Sequence, residues 1–390
     1  MISFEEAIEA VLKRARKLPA VRVRLEEAAG RILAADVRSP LDMPPFDKAL
    51  VDGYAVRSHD VKAGVRLKKA GTIQAGGRAR SLPAGTCLKI MTGAPVPLGA
   101  DAVVMVERTR EEGGLVIFGS SAGKRAGISR RGSDMKRGQL ILRSGSAVRT
   151  SHIAALAAAG KGFLLCGGLP SVSLVNTGGE LIRPGGKLPA GGIYNSNGPM
   201  LAALLRGDGM KAEPVIVRDE PARLRAALSK ALRSDIVLVS GGVSMGDYDL
   251  VPGTLKSLGV KEVFHRVRVR PGKPMFFGVK GRRLVFGMPG NPLANFMAYH
   301  AYVRPAILKM AGASRPGPEF TAGRCASAFR PRTGRLAMEL AQAGCSYSLA
   351  PVRANGSADV LALAAAEAFA AVPEKAELKK GAKGRFLGWR

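Results

Sequence analysis

At 390 residues the chain has room for two or three domains, and 46% hydrophobic with 23% charged residues exclude wholesale disorder. The balance of 60 Lys and Arg against 30 Asp and Glu leaves a net charge of +30, which favours anionic partners, while 5% aromatics with a single Trp exclude a fold of stacked aromatic platforms. No apolar run approaches the roughly 20 residues that cross a bilayer. The start carries Glu5, Glu6 and Glu9 rather than a signal layout, and Cys87, Cys166, Cys325 and Cys345 form no CxxC pair. The expected setting is therefore the cytoplasm, without a membrane partner, a zinc ribbon or a disulfide scaffold.

Ser3-x-x-Glu6 is a capping box, and Phe4, Ala7, Ile8, Val11 and Leu12 then fall on one helical face. A second short helix is predicted over Glu26 to Leu33. From Ser39 to about Arg143, short β-branched runs (Ala102 to Val106, Leu115 to Phe118, Gln139 to Leu142) alternate with Gly/Pro turns, which predicts a β-rich module. Thr150 to Ala159 reads as an Ala-rich helix stopped by Gly160. Strands at Val172 to Val175, Pro214 to Val217, Ile236 to Val239 and Leu284 to Phe286 then alternate with helices at Pro199 to Arg206, Pro221 to Leu232 and Leu293 to Met310. That alternation predicts a mainly parallel, doubly wound α/β domain. After Arg315-Pro-Gly-Pro318 comes a β-rich module of about 70 residues, in which Leu361 to Ala371 suits either helix or strand. The basic residues are spread along the chain and no nucleic-acid-binding signature is present, so small anions are the better match to the charge.

In an open α/β sheet, ligands bind beyond the carboxyl ends of the strands. Those ends are where the sequence becomes unusual: Asn176-Thr-Gly-Gly-Glu180, Arg218-Asp219-Glu220, SGGVSMGDYD (Ser240 to Asp249) and GMPGNP (Gly287 to Pro292). Ser240-Gly241-Gly242 suits an anion nest of successive N–H groups. GMPGNP places Pro292 at a helix start suited to a phosphate. Glu180, Asp219, Asp247 and Asp249 bring carboxylates to one rim, as a hard divalent cation requires. In HRVRVRPGKP, strand alternation puts Arg266, Arg268 and Arg270 on one face, followed by Lys273. In the β-rich module, DMPPFDKALVDGYAV (Asp42 to Val56) projects Asp47 and Asp52 from a rigid turn; an Asp-Gly hairpin with a packed Tyr54 is the bland alternative.

Together with IMTGAPVP (Ile90 to Pro97), SRRGSDM (Ser129 to Met135), IYNSN (Ile193 to Asn197) and RPGKP (Arg270 to Pro274), these strings resemble the molybdopterin molybdenumtransferase family in order across residues 42 to 297. The resemblance implies a four-part chain: residues 1–38 with 136–168 as a mixed N-terminal domain, 39–135 as the β-rich module, 169–314 as a molybdopterin-binding α/β domain, and 315–390 as a C-terminal β-rich domain. It implies an elongated homodimer, adenylylated molybdopterin and molybdate as substrates, Mg²⁺ as cofactor, and release of AMP. Asp52, Glu180, Asp219 and Asp249 match the family's active-site carboxylates, with Glu180 and Asp249 as metal ligands. The substrate positions implied are Thr92, Asp134, Ser240, Gly241, Gly242, Ser244, Arg266, Arg270, Lys273, Pro274, Pro289, Asn291 and Pro292. Asp52 is expected to face the partner subunit, and the adenylyltransferase of the preceding step and recipient molybdoenzymes are the implied protein partners. The chain departs from the family at Gly179, Asn195 and Leu340, where acidic, acidic and basic residues are common. Those three support an alternative reading as a weakened pterin-binding paralogue; the adenylyltransferase itself is a further alternative.

Overall fold

The computed structural model describes residues 1–78, 80–243, 250–331, 334–344 and 348–389. They form two compact units, one of Met1–Ala35, Ser144–Arg149 and Phe163–Arg390, the other of Asp36–Arg143 and Thr150–Gly162. Among them no helix is long and apolar enough to cross a membrane.

The smaller unit is built on a six-stranded sheet whose order is Ala102–Met105, Gly53–Val56, Thr86–Ile90, Arg66–Ile73, Leu115–Phe118, Thr109–Glu112. Period-two alternation gives this sheet two apolar faces. Tyr54 and Val56 pack with Leu67, Cys87 and Phe118 on one side, and Ala55 packs with Ile73, Leu88 and Ile90 on the other. The Asp52-Gly53 step is not a hairpin turn. Gly53 begins a central strand paired on both sides, and a Cβ there would meet the Val104 carbonyl oxygen at 2.0 Å. Glycine is required by this close approach.

The larger unit carries the expected doubly wound domain. Its sheet runs Pro214–Val217, Val172–Thr177, Ile236–Ser240, Arg283–Met288, Pro274–Lys280, Lys261–Arg266. The first four strands are parallel, Pro274–Lys280 runs antiparallel to them, and Lys261–Arg266 pairs antiparallel to Pro274–Lys280. Alternate residues feed two cores: Leu174, Ile236 and Leu238 face one helical layer, while Val175, Val237 and Val239 face the other with Leu224 and Leu228. A leucine as fully enclosed as Leu224 or Leu228 contributes about 1.5–3 kcal/mol relative to exposure. At the amino end the capping box forms as read, Ser3 and Glu6 each bonding the other's backbone N–H ahead of Phe4–Arg14.

The last β-rich segment closes into a ring. Leu336–Ala343 pairs with Ser348–Pro351, which pairs with Phe320–Cys325, then Lys383–Gly388, then Ala368–Val372, and so back to Leu336–Ala343. Alanines 337, 341, 368 and 370 fill its narrow inside with Phe329 and Phe386.

Several expectations are corrected. The predicted helix from Glu26 to Leu33 is only a 3₁₀ turn, Leu25–Glu27; Gly30 takes φ +82° and Ile32 and Leu33 enter β-bridges. The helix predicted over Leu293 to Met310 is Pro292–Ala298 and Arg304–Met310 with a π turn, Tyr299–Val303, between them. Pro305 explains it, since it lacks an N–H and crowds the carbonyl four residues back. Arg266, Arg268 and Arg270 are exposed between the buried Val267 and Val269 as alternation requires, yet they do not share one strand. Lys261–Arg266 ends in the α/β sheet, and Val269–Arg270 pairs with the barrel strand at Leu336 and Ala337. The ambiguous Leu361 to Ala371 stretch is helix Val360–Ala365 followed by strand Ala368–Val372. Cys87, Cys166 and Cys325 are buried free thiols whose pKa burial raises, to about 11 for Cys87.

Candidate active site

The sheet order reverses between Val172–Thr177 and Ile236–Ser240, and at the carboxyl ends of these strands a cavity of about 690 Å³ opens. Such a switch point leaves a crevice because the connections leave in opposite directions. Glu180, Asp219, Ser240, Gly241, Gly242, Pro274, Pro289, Asn291 and Pro292 all line it, so the larger unit brings together nine of the residues read from sequence.

The Gly-Gly turn is shaped by contact. Gly241 has φ +93° and Gly242 φ +61°, and Cβ atoms there would lie 2.5 Å from the Thr177 carbonyl oxygen and 2.8 Å from Thr177 Oγ1. The nest reading needs correction, because the Gly241 N–H already donates to the Met288 carbonyl at 3.2 Å. The GMPGNP helix start is likewise partly used. Leu293 N–H donates to the Ser357 carbonyl at 3.1 Å, and Asn291 Nδ2 donates to Ser357 Oγ at 2.8 Å. Ser357 belongs to a tight segment in which Asp359 accepts the Asn355 and Ala362 backbone N–H groups, and Ala358 and Val360 line the cavity. Sequence reasoning missed this segment; its signal was the turn-forming string Asn355-Gly-Ser-Ala-Asp359 ahead of a helix.

The carboxylates of Glu180 and Asp219 supply hard oxygen donors. Gly178, at φ +153°, leaves room for the Glu180 carboxylate, both of whose oxygens would be 2.7 Å from a Cβ at that position. Asp219 Oδ2 accepts the Gly179 N–H at 3.3 Å. Among the described residues no group of three or more His, Cys, Asp or Glu gathers in metal-binding range. Two carboxylates still fit Mg²⁺, which usually takes one or two from protein and fills its octahedron with water and substrate phosphate. Ser244, Asp247 and Asp249 lie outside the described residues.

The cationic residues stand apart. Arg266, Arg270 and Lys273 do not line the cavity. The Lys273 carbonyl accepts the Val267 N–H, holding the chain as it turns into Pro274. Arg270 acts on Glu339 of the barrel, where burial raises the carboxyl pKa and the guanidinium pulls it back.

Asp52, Thr92 and Asp134 belong to the smaller unit. Asp52 Oδ1 accepts both the backbone N–H of Thr92 (2.7 Å) and its hydroxyl (2.8 Å). These two bonds, with Lys89 adding a weaker pull, hold the exposed carboxyl below its usual range, so Asp52 is kept ionised. Thr92 therefore acts on Asp52 here. Asp47 is not a free projecting carboxylate, since Oδ1 accepts the Arg131 N–H at 2.7 Å. Asp42 similarly ties down Arg131 and Arg137, and Asp134 accepts the Ser133 hydroxyl at 2.9 Å. Tyr54 is buried and donates to Glu111 at 2.8 Å; burial with that carboxylate pushes the phenol to about 12.

A set of buried polar side chains forms part of the cavity wall, all of them lining it except Asn295, which lies behind. Asn176, Thr177, Asn195, Asn197, Ser240 and Asn295 are all less than a tenth exposed. Asn195 Oδ1 accepts the Gly198 N–H at 3.0 Å, and Asn197 and Asn295 both donate to Ser240. Of these, Asn176, Thr177, Asn197 and Asn295 retain buried polar atoms without a partner.

Comparison with known proteins bears on both units. Residues 2–160 match the family described as MoeA N-terminal region (domain I and II), and residues 173–309 match the probable molybdopterin binding domain. A molybdopterin molybdenumtransferase of Staphylococcus epidermidis is 32% identical over 383 residues, covering 95% of this chain and 91% of that protein. One from Staphylococcus aureus is 31% identical over the same shares. The crystal structure of the molybdopterin biosynthesis moeA protein from Pyrococcus horikoshii OT3 is 28% identical, covers all of both chains and superposes with a TM-score of 0.82.

Proposed function

The chain belongs to the molybdopterin molybdenumtransferase family, and from that premise we propose that the cavity at the switch point takes adenylylated molybdopterin and molybdate, inserts molybdenum and releases AMP in a Mg²⁺-dependent reaction. The observation that carries this reading is the meeting of Glu180 and Asp219 with the Gly241-Gly242 turn and the GMPGNP loop around one cavity. Its 690 Å³ is within the range of cofactor sites. Pterin phosphate, adenylate and molybdate are all anions, so the carboxylates act by holding a cation or orienting water rather than by touching substrate oxygens. A divalent ion held by Glu180 and Asp219 would offset charge as the bridge between the two phosphates breaks; Asp249, a metal ligand by the resemblance alone, lies outside the described residues. The protein's own part is positional. Asn291 and Pro292 set the floor for the pterin, and Gly242 lets the main chain approach it.

In this reading the working unit is a homodimer in which Asp52, oriented by Thr92, joins the site from the second copy. Arg266, Arg270 and Lys273 draw molybdate inward electrostatically, and the setting is the cytoplasm. The preceding adenylyltransferase hands over the substrate and molybdoenzymes receive the product. The second reading, a weakened pterin-binding paralogue, rests on the sequence departure at Leu340, a side chain that is 3% exposed and packed in the core.

The deciding experiment is AMP release from adenylylated molybdopterin with and without molybdate and Mg²⁺. Release that depends on both supports the enzyme. Tight binding without release supports the paralogue, and release indifferent to Mg²⁺ refutes the metal role of Glu180 and Asp219.

A further inference from the structure

Two buried amides tie together the loops that form the cavity. Asn295 lies in Pro292–Ala298 and is 0% exposed. Its Nδ2 donates to Ser240 Oγ at 2.7 Å and to the Pro289 carbonyl at 3.0 Å. Asn197, at the start of Asn197–Gly207, donates to the same Ser240 Oγ at 3.0 Å and to the Gly290 carbonyl at 2.6 Å. Each amide thus bridges one hydroxyl at the end of the Ile236–Ser240 strand to adjacent carbonyls of the GMPGNP loop.

The arrangement is not one that stability alone favours. Asn197 lines the cavity, but Asn295 Oδ1 is buried without a partner, and a half-satisfied polar group in a dry interior is worse than an apolar side chain. Asn295 has Leu293, Phe296 and Met297 around it in sequence, all buried. It does not line the cavity, so it touches no substrate there. What it does is bridge the end of the Ile236–Ser240 strand to the Pro289 carbonyl, just beyond the point where the direct Ser240–Met288 strand pairing ends.

We propose that Asn295, acting with Asn197 through Ser240, is a positioning residue that sets the width of the substrate cleft. The inference rests on the reading of that cleft as the adenylylated molybdopterin site. It assigns substrate affinity to a side chain that never meets substrate.

The test is Asn295→Leu, similar in size and without the orphaned oxygen, read three ways. The thermal midpoint is expected to fall by only a few degrees, because Ser240 keeps the Asn197 donor and loss of the unpaired Oδ1 offsets part of the cost of leaving the buried Pro289 carbonyl without its donor. KM for adenylylated molybdopterin is expected to rise about tenfold, with kcat changing less than about threefold. Amide hydrogen exchange in residues 241–243 and 287–293 is expected to quicken about tenfold or more while the rest of the α/β sheet keeps its protection. Unchanged exchange with unchanged KM overturns the proposal, as does a fall in midpoint well beyond a few degrees alongside lost affinity, which marks a merely structural residue. If the unmodified protein releases no AMP, the functional reading fails, and the exchange arm alone still decides the positioning claim. Should Asn295→Leu not fold, Asn295→Ser removes the amide donors with a smaller side chain and is held to the same exchange result.

Discussion

Replacing Gly241 by alanine tests the cleft geometry most directly. The residue sits at φ +93°, where an L side chain is strained, at a cost of about 1–2 kcal/mol. Its new Cβ would also lie 2.5 Å from the Thr177 carbonyl oxygen, which is backbone and cannot swing away. Restoring a 3.4 Å contact requires the turn to retreat by about 0.9 Å, and overpacking of this kind costs roughly 1–3 kcal/mol. The two together predict a loss of about 2–5 kcal/mol. The Gly241 N–H bond to Met288, already 3.2 Å, has little length to give. Because the turn is a wall of the cavity, a shift near 1 Å also predicts a fall in AMP release of about a hundredfold. Denaturant midpoints and kcat/KM are the measurements. Gly253→Ala is the control: it lies in helix Leu250–Ser257, a Cβ there meets nothing within 4 Å, and it should gain about 0.5–1 kcal/mol. A Gly241→Ala protein with the parent's midpoint and turnover would refute the argument that this backbone approach sets the site.

Two further outcomes follow from charge. Thr92→Val removes the hydroxyl donor to Asp52 and keeps the backbone one, so the Asp52 pKa rises toward the ordinary carboxylate value. The acid limb of the kcat/KM profile should move to higher pH, whereas Asp52→Asn should cost about a hundredfold or more at every pH; an unmoved limb in Thr92→Val would separate Thr92 from Asp52. His300 is buried, and burial first, with the Arg304 charge second, drives its imidazole from 6.5 down to about 4. A folded pKa below the unfolded one makes the neutral form the stabilising one. Its contribution is complete above pH 6.5 and lost as pH falls toward 4, by about 3 kcal/mol in all. Urea midpoints of the unmodified protein and His300→Gln, compared at pH 7 and pH 4.5, should converge at the lower value; a parallel pH dependence in both assigns the acid sensitivity elsewhere.

Much of the α/β domain was legible because local chemistry and tertiary burial agree there. Ser3 and Glu6 cap the helix they announce, Pro221 opens the helix it is placed to open, and Ile236–Ser240 is apolar because it is covered on both faces. The barrel was less legible because its strands are written in helix formers. Leu336–Ala343 reads LAMELAQA and Ala368–Val372 reads AFAAV, so neither carries the β-branched signal of a strand. Closing the ring decides the matter, because small residues are what its inside accommodates. The arginine run misled for a related reason. Alternating exposure was read correctly, but it survives a strand break, and the partner that captures Val269–Arg270 lies more than 60 residues away in sequence.

The same division runs through the site. Gly241, Gly242, Pro289 and Pro292 stand out in sequence because the backbone they require excludes most other residues, and the glycine contacts bear that out. Asn295 has no such signature. In LANFMAY it is one polar residue in an apolar helical run, which pattern alone reads as a tolerated imperfection. Its meaning depends on Ser240, 55 positions earlier, and on a carbonyl six residues before it. Ser357 is similar, since only folding brings it to Asn291, 66 residues away. Groups that approach a ligand through constrained backbone leave a mark in the sequence around them. Groups that hold those loops at the right spacing act across the fold, and a site assigned from motifs alone will be short of the residues that set its affinity.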